Sequence, residues 1–126
     1  MRELTSHKVN GCNDDLKIEV NDEPGHGGAC HEYAIVNTNP KDDPGCQEIL
    51  ASICFQNGPI AEVGTNGVTH EALLAILIDR LEGFQYGPYK CEPNELALSH
   101  CKAAQAALKA RTAERLARGV EGTHKV

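Results

Sequence analysis

The chain has 126 residues, 40% of them hydrophobic and 24% charged, and carries a formal net charge of −6. That size fits one compact domain with an appended helical element, and a core this modest is often extended by association between subunits. The acidic total disfavours general binding to polymeric nucleic acid, no run reaches the about 20 apolar residues of a membrane span, and the polar start MRELTSHKVN shows no signal peptide, so a cytoplasmic protein is expected.

The first half reads as β. Leu16-Lys17-Ile18-Glu19-Val20 alternates apolar and polar, as a half-buried strand does, and stops at the turn-rich run Asn21 to Gly28. Tyr33-Ala34-Ile35-Val36 is a second strand, closed by the polar loop Asn37 to Gly45. The third runs from Glu48 to Gln56, with Ile49, Ala51, Ile53 and Phe55 on one face, and ends at Asn57-Gly58-Pro59. Three strands joined by short polar loops predict an antiparallel meander with one apolar face to cover.

The second half reads as two helices. Thr69 suits an N-cap with Glu71 in the first turn, and the helix runs to about Gln85. Leu74, Leu77, Leu81 and Phe84 form one stripe, and Leu73 and Ile76 widen it, so the helix should be covered on more than one side. Tyr86-Gly87-Pro88-Tyr89 breaks it. A second helix starts near Pro93-Asn94 and continues to about Arg118, with Gly119 a natural residue just past its end. The fold class is therefore α+β: an antiparallel sheet portion over residues 1–64, then a helical hairpin over 65–126.

On the last helix, Asn94, Ala97, Cys101, Ala104, Leu108, Arg111, Arg115 and Arg118 follow at alternating three- and four-residue steps, which places them along one seam. The hairpin puts Phe84 near Asn94 at its tip, while the arginines lie about 25 to 35 Å away along the helix. One chain cannot easily bring both ends to one small ligand, whereas two chains packed head to tail can, so an oligomer formed through the helices is expected. The local charge agrees: residues 1–68 hold 4 basic and 11 acidic side chains, but residues 100–126 hold 6 basic and 2 acidic.

Three arginines on one seam suit phosphate or pyrophosphate through bidentate hydrogen bonds, or else form a solvated basic face, and spacing alone favours neither. Phe84 is either a core residue, the commoner role, or a platform for a base. Asn94 is either a helix cap or a reader of a base edge. Six cysteines show no C-x-x-C spacing, and Cys30-His31 lacks the second pair of a zinc site, so neither metal nor cofactor is expected. No G-x-S-x-G, Walker A, G-x-G-x-x-G or H-E-x-x-H motif is present, which makes a binding protein rather than an enzyme the default.

The run FQNGPIAEVGTNGVTHEALLAILIDRLEGFQYGPYKCEPNELALSH, the C-terminal KARTAERLARGVEGTHKV, and HKVNG and DEPGHGGACHEYAIV earlier in the chain resemble a phage anti-Thoeris family, the first type of Thoeris anti-defence protein. Its helical hairpin is shared with a phage anti-CBASS sponge. The resemblance implies a sheet followed by a two-helix hairpin, assembled as a dimer or hexamer in the cytoplasm of the infected bacterial host. It implies capture without cleavage of a cyclic ADP-ribose isomer, with cyclic di- or trinucleotides as further ligands, so that the downstream effector is never activated. By motif position the cyclic ADP-ribose site would use Phe84, Asn94, Arg111 and Arg115, and a second cyclic-nucleotide site would use Arg118, Gly119, Val120, Gly122 and Thr123. This chain departs from the family in mid-helix, where CKAAQAALK replaces bulky and acidic residues. The alternatives are a hydrolase of the same cyclic nucleotides, for which no general base or metal-bound water is evident, and a phage structural or DNA-associated protein that docks by its basic helix end.

Overall fold

The computed structural model describes residues 1–123. Its elements are β1 (Arg2–Leu4), α1 (Gly11–Asp15), β2 (Leu16–Val20), β3 (Glu32–Asn37), β4 (Glu48–Cys54), α2 (Ile60–Val63), α3 (His70–Gln85) and α4 (Glu92–Ala117), with a 3-10 turn at His26–Gly28 between β2 and β3. The class is α+β, as the patterning implies. Two compact units divide the chain: residues 1–57 with 65–67, and residues 58–64 with Val68 onward.

The first unit is an antiparallel sheet in the order β1-β2-β3-β4. It has four strands where alternation predicts three. β1 is three residues long, too short to show a period, and pairs Arg2 to Val20 and Leu4 to Ile18. Ile18 faces Ile35, and Val20 faces Tyr33, which in turn faces Ile53; these side chains share one face. Lys17 and Glu19, 3.5 Å apart, share the other face with Val36 and Ala34, which are buried. Long charged side chains can cover apolar neighbours with their methylene stems in this way.

β4 departs from its expected alternation. Ile35 pairs with Ala51 but Val36 pairs with Ile49, so Leu50 is an extra residue in a bulge. The bulge turns Ile49 to the face opposite Ala51 and Ile53, because the side-chain period of a strand is two. Phe55 lies past the strand's end yet packs edge-on against Tyr33, with ring centroids 5.6 Å apart.

The β2–β3 connection is closed by Asp22. Its carboxylate accepts the backbone N–H of His31 at 2.9 Å and of Glu32 at 3.0 Å, and the buried His31 ring places Nδ1 3.8 Å from it. Partial desolvation pushes the Asp22 pKa upward, but the N–H donors of Glu32 and His31 and the His31 charge outweigh it and hold the group below its ordinary 3.8.

The second unit is the helical hairpin. Thr69 caps α3 as expected, its hydroxyl accepting the Ala72 N–H at 3.1 Å. Cys91 occupies the α4 cap position without a side-chain bond, and Pro93 sits in the first turn. Gln85 ties the connection, accepting the Cys91 N–H and donating to Glu95, both at 3.1 Å. Farther along, the Gln105 amide donates to the Glu71 carbonyl at 3.2 Å. Ile78 and Leu98 are the buried apolar residues of the pair. Ile76 is 64% exposed and Leu77 48%, so within one chain α3 is not covered on the second side that its composition predicts. No helix among the described residues is long and apolar enough to cross a membrane.

Candidate functional site

α4 is a long, largely polar helix whose buried line differs in part from the predicted seam. The side chains turned inward to some degree are Asn94, Leu98, Cys101, Gln105, Leu108, Thr112 and Arg115. Ala97, Ala104, Arg111 and Arg118 are exposed. The predicted seam thus splits into two heptad-spaced rows: 94, 101, 108 and 115 face the hairpin interior, and 97, 104, 111 and 118 face solvent. The physical cause is Leu98. Of the two leucines in its first turns Leu98 is buried and Leu96 is 60% exposed, and with Leu98 inward the helix turns Ala97 outward.

At the tip, Phe84 is half-buried and lines an open groove of about 600 Å³ with Ile76, Asp79, Arg80, Pro88 and Tyr89. The Arg80 guanidinium carbon sits 5.0 Å from the Phe84 ring centroid, a cation–π contact. Phe84 is therefore a groove wall rather than a sealed core residue. Asn94 is inside the first turn of α4 and is not its cap, since Cys91 holds that position. Its side-chain amide has no hydrogen-bond partner among the described residues, although the residue is half-buried. The structure places Phe84 and Asn94 at the same end of the hairpin, and the arginines at the other.

That other end is closed by a turn of its own. Gly119 takes φ +72°, a left-handed conformation that glycine adopts without a Cβ clash. The Gly119 N–H donates to Leu116 and the Val120 N–H to Arg115, at 3.1 and 3.0 Å. This is the 5→2 and 6→1 pair of a Schellman termination. Gly122, at φ +79°, accepts the Ala61 N–H at 3.3 Å, which docks the turn on α2.

Arg115 locks this arrangement. It is 7% exposed, its Nε donates to Glu121 at 3.0 Å, and its terminal nitrogen donates to the Val120 carbonyl at 3.0 Å and the Thr123 carbonyl at 3.4 Å. Thr123 turns its hydroxyl onto the same Val120 carbonyl. Arg118 is exposed and paired with Glu114 one turn earlier. Arg111 is exposed and makes no hydrogen bond or ion pair among the described residues. The three arginines that spacing treats alike therefore differ: one is internal, one is paired on the surface, and one projects with its five donors open.

Sequence reasoning did not single out Arg80, Asp79 or Glu121, and it took Tyr89 only as part of the break after α3. Arg80 lies four residues before Phe84, so the helical i, i+4 relation was the available signal.

A family profile described as "Acb2/Tad1, hairpin domain" matches residues 47–113. Over 75 residues the chain is 48% identical to Thoeris anti-defense 1 of Bacillus phage SBSphiJ7, a match covering 60% of this chain and 53% of the relative. The chain thus spans about half the length of the curated relative it matches.

Proposed function

The chain belongs to the Acb2/Tad1 hairpin-domain family, and from that premise we propose that it is a phage anti-defence protein that binds and sequesters a cyclic nucleotide immune signal without cleaving it. The proposed ligand is a cyclic ADP-ribose isomer, with cyclic di- or trinucleotides as further ligands, captured in the cytoplasm of the infected host before an effector meets it. The name of the Bacillus phage relative, an anti-defence protein against Thoeris, supports this class of activity.

One observation carries the reading. The polar groups suited to a nucleotide are held at the two ends of the hairpin with their bonding capacity unspent: the Asn94 amide and the Phe84 face at the tip, and the Arg111 guanidinium beyond the start of α3. Groups that a fold positions but does not satisfy are suited to a ligand. The ends are too far apart for one small molecule, so the pocket takes Phe84 and Asn94 from one copy and Arg111 from a second, which Arg115 joins only by exchanging its bonds to Glu121 and the Val120 carbonyl for the ligand. Exposed Ile76, Leu77, Leu96 and Leu116 give a second copy apolar surface to cover. Arg118, Gly119, Val120, Gly122 and Thr123 remain the candidate second site.

Sequestration needs affinity beyond that of the effector, in the nanomolar range or about −12 kcal/mol. The test is direct: mix the purified protein with the cyclic ADP-ribose isomer, filter, then heat-denature the retained protein and assay what is released. Signal that leaves the filtrate and returns intact on heating is the expected result. Signal that returns altered indicates a hydrolase, and signal that never leaves the filtrate removes this ligand.

A further inference from the structure

The tip groove has a cation of its own. Arg80 is exposed, makes no hydrogen bond or ion pair among the described residues, and carries its guanidinium over the ring of Phe84. Asp79, beside it on α3, lines the same groove and has no ion-pair or hydrogen-bond partner among the described residues. Ile76, Pro88 and Tyr89 complete walls that are mostly apolar.

An arginine held against an aromatic ring has fewer rotamers open to it, so less freedom is lost when it bonds an anion. The contact with the ring uses no hydrogen bond, so the guanidinium N–H groups stay available to bond phosphate oxygens two at a time. The part of the Phe84 ring that lines the groove remains for a base. A carboxylate beside the arginine is unsuited to a bare polyanion but accepts hydrogen bonds from hydroxyl or amino groups. A ligand that offers a flat heterocycle, hydroxyls and a phosphate within a space of about 600 Å³ is a nucleotide.

We infer that Arg80, held over the ring of Phe84, is a phosphate-contacting and specificity-determining residue of the hairpin tip, with Asp79 accepting a hydroxyl or amino group of the same nucleotide. This rests on the proposed capture of a cyclic nucleotide and adds to it: the chain that supplies the stacking ring also supplies a phosphate contact, and arginines of a second copy then hold the other phosphate.

The experiment compares wild type, Arg80→Gln and Arg80→Lys by calorimetric titration with the cyclic ADP-ribose isomer at low and high salt. In parallel, AMP is titrated while the arginine Nε–Hε and phenylalanine ring resonances are followed by NMR. Arg80→Gln should bind about ten- to a hundredfold more weakly, as expected for loss of a charge-assisted bond, and with a shallower salt dependence. Arg80→Lys should keep the salt dependence while recovering only part of the affinity, which a purely structural role for Arg80 would not produce. Wild-type affinity and salt slope in Arg80→Gln would overturn this inference while leaving signal capture intact. If wild type ignores the cyclic signal but AMP shifts Arg80 and Phe84, the groove stands and the proposed function falls. Silence in both titrations removes both.

Discussion

Arg111 and Arg115 are one turn apart on α4 and stand in opposite circumstances. Arg115 is buried on Glu121 and two backbone carbonyls, whereas Arg111 projects into solvent. Truncating Arg115 strands a partly buried carboxylate and the carbonyls of the C-terminal turn, so Arg115→Ala should lose about 2 to 4 kcal/mol of stability in denaturant titration. Arg111→Ala should stay within about 0.5 kcal/mol of wild type, as surface changes do, so any loss of ligand binding there reports contact rather than folding. Equal stability of the two variants would refute the clamp. Asp22 carries a second residue-scale consequence. Its lowered pKa means that the folded protein gains from the ionised carboxylate above the ordinary value of 3.8 and loses that gain as pH falls below it. The difference in Tm between wild type and Asp22→Asn should therefore shrink between about pH 5 and about pH 3, and a constant difference would mean that the N–H cradle does not depend on charge. The Thr69 cap and the Gly119 terminus were legible in the sequence because each is a local rule acting over three or four residues. The contrast among Arg111, Arg115 and Arg118 was not, since it depends on Glu121 and Glu114 and on where the turn folds back.

At the scale of elements, three strands and both long helices were readable from alternation and from caps. The missing ones, β1, α1 and α2, are three to five residues long, shorter than any period that could announce them. The bulge at Leu50 was hidden for a related reason. Ile49, Ala51 and Ile53 alternate faultlessly in sequence, and only pairing with β3 shows that one residue is surplus. The α4 seam was legible in half of its positions: rows at 94/97/101 and at 94/98/101 are both helical, and within one chain burial of Leu98 selects the second. Gly67 offers a test of how tightly one connection is built. A methyl group there would overlap the Phe55 carbonyl and the Cys54 oxygen, which are backbone atoms and cannot rotate away. Gly67→Ala should cost about 2 to 3 kcal/mol, as overpacking at a rigid site does, and a thermal melt unchanged from wild type would show that the connection yields.

For the whole molecule, the separation of useful groups matters more than any single contact. α4 spans 26 residues against 16 for α3, so its arginine end runs on past the hairpin while Phe84 and Asn94 stay at the tip. On the proposed reading, a copy disabled at the tip and a copy disabled at the arginine end each retain what the other lacks. Phe84→Ala and Arg111→Ala chains should each fail to retain the cyclic signal alone. Mixed in equal amounts under conditions that allow subunit exchange, they should recover about a quarter of the wild-type sites if a dimer is the unit of capture, because half of the dimers are mixed and one of their two pockets is intact. A pocket built within one chain predicts no recovery at any ratio, since every pocket then carries one of the two lesions. Recovery would also fix the orientation of the copies, because only a head-to-tail arrangement brings the intact ring of one chain to the intact arginine of the other.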